Sequence, residues 1–377
     1  MRNIFLECGY SAVEIENKLE TAFRSLFEGD CNNERVCFTV GEDMAYIEDI
    51  GHSDIRSEGM SYGMTITAIL GKRSLFDKLW NFSKKYLLNT SGPWNGYYSW
   101  QVSTKDFSMM DPGSAPDGEE YFAAALLIAS KKFGEPRYKK EALEIINAMA
   151  HKEKCEYVHT MFDHEKLLPR FSPNDGNDFT DPSYNTLAFY RFYARESGDD
   201  FWNQVAQSSF KYLQKAVHPV TGLAADYSEY DGTPKWTPWH KVSDCFSGDA
   251  WRVAWNLALD ACTIEGDTAG DGAELAEVLA WEKSAVKRIL TFFDQCRPYK
   301  ADYRVDGSDF PTEPRDATIG LIAMNGAATL ALDAGDSQIK AFAEDLWNAP
   351  VPTGTWRYYD GMLYMLGLLA CSGKFEL

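Results

Sequence analysis

The stretch YFAAALLIAS, residues 121–130, carries no charge and shows no polar face at helical spacing. A helix that is apolar all round is buried on every side, so this one belongs in the interior. GLIAMNGAATLAL (320–332) reads the same way. In all, small and apolar residues dominate six segments: 59–71, 118–132, 182–196, 249–263, 317–334 and 358–371. Between them lie amphipathic segments with one charged face, at 12–28, 74–87, 137–150, 200–216, 274–295 and 338–348. The clearest is RYKKEALEIINAMAHK (137–152), with Leu143, Ile146 and Met149 at helical spacing. Alternating strand patterns are almost absent.

The order is outer, inner, outer, inner, repeated to the end. The inner segments start mostly about 60 residues apart, a weak internal repeat without the shorter period of a TPR solenoid. This predicts an all-α chain whose six inner helices are wrapped by six outer ones, an (α/α)6 barrel. Closing such a ring needs small residues where inner helices meet, and Gly63, Ala123, Ala124, Gly320 and Ala327 supply them. No linker interrupts the pattern, so residues 1–377 are expected to form one domain.

Composition narrows the function. With 45% hydrophobic and 25% charged residues, the chain is an ordinary globular one. Its net charge of −19 disfavours nucleic acid and anionic membrane surfaces as partners. No run is long enough for a membrane span. Residues Met1 to Tyr10 place Glu7 inside their only apolar patch, which argues against a signal peptide. Eight cysteines without C-x-x-C pairing fit a reducing compartment, so a cytoplasmic monomer is expected. The histidines, His52, His151, His159, His164, His218 and His240, lack metal-ligand spacing, and no metal or organic cofactor is expected. His52 and His240 fall near the ends of inner segments, as satisfied loop residues or substrate contacts.

Aromatic residues reach 14% and cluster in Gly/Pro-rich loops, GPWNGYYSW (92–100) and YSEYDGTPKWTPWH (227–240). Flat apolar faces with polar rims suit sugar rings, although packing of core or lids would also use them. Acids gather at the N-terminal ends of the inner segments: Asp54 and Glu58; Asp117, Glu119 and Glu120; Asp178 and Asp181; Asp244 and Asp249; Asp316; Asp360. Each alone could cap a helix, and Asp181 ahead of Pro182 has that form. Several acids around one mouth, beside aromatic loops, instead resemble a glycosidase, which needs two carboxyl groups flanking the bond it cuts.

RSEGMSYGM (56–64), APDGEEYFA (115–123), DPSY (181–184), FSGDAWRVAWN (246–256) and RYYDGMLYML (357–366) resemble, in order, the motif blocks of glycoside hydrolase family 8. The subgroup most similar is the reducing-end xylose-releasing exo-oligoxylanases. The resemblance implies an (α/α)6 barrel that hydrolyses β-1,4 linkages with inversion, acting on xylo-oligosaccharides without a cofactor. It makes Glu58 the general acid, Asp249 the general base, with Asp244 as runner-up, and Asp117 the acid that supports the distorted sugar. Tyr62, Trp94, Tyr184, Tyr230, Trp239, Arg252, Tyr358 and Tyr359, from these blocks and the aromatic loops, are expected at the substrate. Glu58 raises a physical conflict. A helix N-terminus lowers a carboxyl pKa, whereas a general acid must keep its proton, so burial and like charge must outweigh the dipole.

The chain departs from the subgroup in one loop. The resemblance implies a Leu-His-Pro kink before the fifth inner helix, closing the cleft after one leaving-group sugar. Here DFPTEPRDATIGLIAMN (309–325) has Asp316-Ala317-Thr318 at that place, so Arg315 or Asp316 would have to bind the anomeric hydroxyl, or the wall is missing. An endo-acting xylanase or endoglucanase is therefore the alternative, and a non-catalytic carbohydrate-binding protein the alternative from another class. A terpene cyclase lacks support because no D-D-x-x-D cluster exists, and a sugar epimerase because no histidine lies in an inner segment.

Overall fold

The computed structural model describes residues 1–266 and 272–377. After a short α1 (Ile4–Glu7), outer helix α2 (Ala12–Glu28) is opened by a capping box. Ser11 Oγ accepts from Glu14 N at 3.3 Å, and Glu14 Oε2 accepts from Ser11 N at 2.8 Å. The chain then alternates: inner α3 (Ser57–Ile69), outer α4 (Arg73–Phe82), inner α5 (Pro116–Phe133), outer α6 (Pro136–His151), inner α7 (Leu187–Ser197), outer α8 (Phe201–Ala216). Inner α9 (Trp251–Gly266), outer α10 (Ala273–Gln295), inner α11 (Ile319–Ala328), outer α12 (Ser337–Asn348) and inner α13 (Arg357–Cys371) complete it. Each inner helix packs on the next, and α13 closes back on α3. This closure is the (α/α)6 barrel.

Burial follows from the sequence pattern. Every residue of α3 except Glu58 is buried. On α6 the buried stripe is Tyr138, Ala142, Ile145, Ile146 and Met149, while Leu143 is half-exposed. Burying each of the larger apolar side chains contributes about 1.5–3 kcal/mol. Gly320 lets α11 approach α13, since a Cβ there would lie 2.7 Å from Asp360 Oδ1. Gly63 serves a different contact, with Ile47, where a Cβ would lie 2.8 Å away.

Short strands escaped the sequence reading because runs of two to four residues are too brief to show alternation. β1 (Cys37–Val40) pairs with β2 (Met44–Ile47), and β6 (Phe162–Asp163) with β7 (Leu168–Pro169). The functionally relevant sheet has the order β3 (Asp54–Arg56), β4 (Gln101–Ser103), β5 (Met109–Asp111), all antiparallel. It sews the entry of α3 to the entry of α5. Ser57 N donates to Trp100 O at 3.2 Å, and Trp100 N to Gly113 O at 2.7 Å.

Two inner helices differ from expectation. The third starts at Leu187, not 182, because Asp181 accepts from Ser183 N at 2.6 Å and closes a 3-10 turn, Pro182–Tyr184. Asn185 then leaves helical geometry at φ −82°, ψ 81°. The fifth ends at Ala328 in a 3-10 turn, Thr329–Ala331, after which Leu332 is extended.

Candidate active site

Glu58 stands in the first turn of α3 but caps nothing. Its Oε2 accepts from Arg252 Nη1 at 3.1 Å, and its Oε1 accepts from the Tyr358 hydroxyl at 2.9 Å. Other residues do the capping at the mouth. Asp226 Oδ1 accepts from Ser247 N at 3.1 Å and Ala250 N at 3.0 Å ahead of α9. Thr318 caps α11, where Asp360 Oδ1 also accepts from Gly320 N at 2.9 Å. The entry of α9 is thus capped without the Asp249 side chain, while the N-cap position of α3, Arg56, makes no side-chain cap.

Arg252, on the first turn of α9 and 3% exposed, gathers the acids. Nη1 also donates to Asp117 Oδ2 at 2.6 Å and to the Tyr62 hydroxyl at 2.8 Å. Nη2 donates to Asp249 Oδ1 at 3.1 Å and Ser183 Oγ at 2.8 Å, and lies 3.8 Å from Asp181 Oδ2. One guanidinium therefore faces four carboxyl groups. They cannot all ionise cheaply away from water. Burial pushes Glu58 up to about 7, against the pull of Arg252 and with Asp117 and Asp249 adding repulsion. Burial likewise raises Asp117 against Arg252, and it raises Asp181 far, with help from Asp249. The conflict between helix dipole and stored proton is resolved by burial first and like charge second.

Glu58 and Asp249 line two cavities. The larger, about 460 Å³, also takes in Asp117, Trp94, Tyr184 and Trp239, all expected at the substrate. The smaller, about 200 Å³, lies on the other side and takes in Tyr358 and Tyr359. The remaining expected contacts line neither cavity. Tyr62 and Arg252 are buried beneath the acids. Tyr230 sits beside Arg170. Arg315 is bound by Asp302 and Ser247 and lies over the Trp251 ring. Asp316 has a side chain 92% exposed and pairs with Lys300 at 2.6 Å. Asp244, the runner-up base, accepts from Cys245 Sγ at 3.6 Å and also lies outside both.

Three comparisons bear on this geometry. The model of the glycosyl hydrolases family 8 matches residues 49–373. The chain belongs to glycosyl hydrolase family 8. Within the family it is 37% identical to the reducing-end xylose-releasing exo-oligoxylanase Rex8A of Paenibacillus barcinonensis, covering 100% of this chain and 96% of that one. It is 36% identical to the reducing end xylose-releasing exo-oligoxylanase of Halalkalibacterium halodurans, over 100% of this chain and 94% of the other. Among solved structures, a GH8 xylobiose complex from Teredinibacter turnerae superposes with a TM-score of 0.90 at 35% identity, covering 100% and 97% of the two chains.

Phe171, in the larger cavity of this family 8 cleft, and Trp356, in the smaller, gave no signal in the sequence. Trp100 and Tyr227 line the larger cavity from the two aromatic loops, and His52, read as a loop residue or a substrate contact, lines the smaller. Asp226 is fully buried, and His240 Nε2 lies 2.8 Å from its Oδ2. That contact ties the Trp239 loop to the segment that carries Asp249. Asp226 could not be found by searching helix starts, because it reaches α9 from a distant loop.

Proposed function

We propose that this chain is an inverting glycoside hydrolase that releases xylose from the reducing end of β-1,4-xylo-oligosaccharides. The observation that carries the reading is the unequal division of the cleft at Glu58 and Asp249: a larger aromatic cavity on one side, a small one on the other. An exo enzyme acting from the reducing end needs a long hold on the retained chain and room for one departing pentose. Asp117 lies on the larger side, where it bonds the sugar whose linkage is cut. The relatives named above support xylose release, and the unpaired cysteines favour a reducing, cytoplasmic setting; the chain is read as one domain acting as a monomer.

In the reaction, Glu58 donates its proton to the glycosidic oxygen as the C1–O bond breaks. Asp249 takes a proton from a water whose oxygen bonds C1 from the opposite face. Tyr358 and Arg252 hold the acid's two oxygens in place. Glu58 and Asp249 are bonded to the two different nitrogens of one guanidinium fork, and an inverting pair keeps a water between carboxyl groups roughly 6.5–9.5 Å apart. Inversion at a β linkage makes the first-formed hemiacetal the α anomer.

Two results test the reading. Xylotetraose labelled at its reducing end should yield labelled xylose, with polymeric xylan left intact. Labelled xylobiose, or a rapid fall in xylan viscosity, would identify an endo-xylanase, the second reading favoured by the missing kink at Asp316–Thr318. A binding protein would yield neither. The pH profile follows from Glu58. Because its protonated form is the active one, kcat/KM should fall tenfold per pH unit above about 7. A profile flat to pH 9 would remove Glu58 as the acid.

A further inference from the structure

The small cavity must recognise a sugar with a free reducing end, yet the loop expected to do so turns away. Asp316 points to solvent toward Lys300, and Arg315 is held by Asp302. What faces the cavity from its outer end is His52, on the turn between β2 and β3, together with Trp356 just before α13.

His52 is held in a defined way. Asp49, 4% exposed, accepts from Gly51 N at 3.0 Å and His52 N at 3.3 Å through Oδ1. Its Oδ2 lies 2.8 Å from His52 Nδ1 and 3.2 Å from Arg56 Nη2. The turn is already closed by those backbone bonds, so the imidazole is not needed to build it. A carboxylate on Nδ1 fixes the proton there and leaves Nε2 to interact outward. Nε2 makes no hydrogen bond to protein among the described residues, and the side chain is 54% exposed. Trp356 supplies a wall beside it. The indole lies 5.7 Å from the His52 ring and is pressed on Gly51, where a Cβ would come within 2.4 Å of Cζ3. It stays 68% exposed, so burial of its own surface does not account for its place.

We propose that His52, oriented by Asp49 and backed by Trp356, recognises the free anomeric hydroxyl of the departing xylose and thereby sets reducing-end specificity in this chain. The inference rests on the exo reading above. Glu58 protonates the oxygen at one end of that sugar, and the anomeric hydroxyl lies at the opposite end of the ring, toward the outer part of the cavity. An imidazole Nε2 accepts from a hydroxyl there, and a methylated anomeric oxygen has no proton to give.

The test compares xylotriose with methyl β-xylotrioside in the wild type and in His52→Ala. For the wild type, kcat/KM should be about tenfold or more lower on the methyl glycoside. His52→Ala should lose about the same factor on xylotriose and change little on the glycoside, whose continued turnover reports an intact fold. Equal losses on both substrates would overturn the assignment to His52 while leaving the exo reading in place. A wild type that cuts both substrates equally well would overturn the exo reading and this inference with it.

Discussion

Glu58→Gln and Asp249→Asn should each lower kcat by a factor on the order of 10³ to 10⁴, measured as xylose release from xylotetraose, with the circular dichroism spectrum unchanged. Each variant keeps the size of its side chain and a hydrogen-bonding oxygen for Arg252, so the fold has little reason to respond. On the proposed roles, what disappears is the proton given to the leaving oxygen in one case, and the base that activates water in the other. Asp244→Asn is the control, since Asp244 lies outside both cavities. A dead Asp244 variant beside an active Asp249 variant would transfer the base to the wrong-looking residue.

The same Glu58 variant should be more stable than the wild type at alkaline pH. A carboxyl raised from 4.5 to about 7 by folding contributes stability that is fully present below pH 4.5 and lost by the time pH passes about 7. At pH 8 the wild type carries a penalty of up to about 3 kcal/mol, since each pKa unit is worth about 1.4 kcal/mol. Glutamine does not titrate. The Tm difference between variant and wild type should therefore grow from pH 5 to pH 8. A difference that shrinks would mean that Glu58 is stabilised as an anion.

Arg252→Met should have the largest effect on stability, a loss of about 3–5 kcal/mol at pH 8 together with loss of activity. Methionine fills much of the volume but leaves Glu58, Asp117, Asp181 and Asp249 without their shared cation. The deficit should shrink at pH 5. Without the guanidinium the acids of the folded state hold protons more tightly, and groups with raised folded pKa values stabilise the fold at low pH and cease to do so as pH rises. Urea unfolding at the two pH values measures this directly. Arg252→Lys should rescue only part, because a single ammonium cannot bond to acids on both ends of a planar fork. Equal stability of Arg252→Met and the wild type at pH 8 would show the acids to be already neutral.

How much of this was legible in one sequence depends on the range of the interactions involved. Apolar runs such as 121–130 and 320–332 announce burial by their own composition, and amphipathic runs announce a surface by their period. Alternation of the two along the chain was enough for the barrel. Ordered motif blocks located Glu58, Asp117 and Asp249, and the structure brings all three to one guanidinium. Arg252 stood in one of those blocks as an expected substrate contact; its burial beneath four acids arises from three other inner-helix entries and is invisible locally. Asp226 was missed because it caps α9 from a loop far away in sequence. Arg315 and Asp316 were expected at the wall because their loop precedes the fifth inner helix, but adjacency along the chain did not determine which way their side chains turned.

From sequence alone came the order and kind of the helices and the residues able to do acid and base chemistry. These depend on composition, period and motif, all properties of neighbours along the chain. Tertiary structure alone decided which acid burial pushes toward its protonated form, which residues line the cleft, and how the cleft is divided. Those outcomes depend on desolvation and on charges brought together at the entries of α3, α5, α7 and α9, and such energies exist only once the ring has closed.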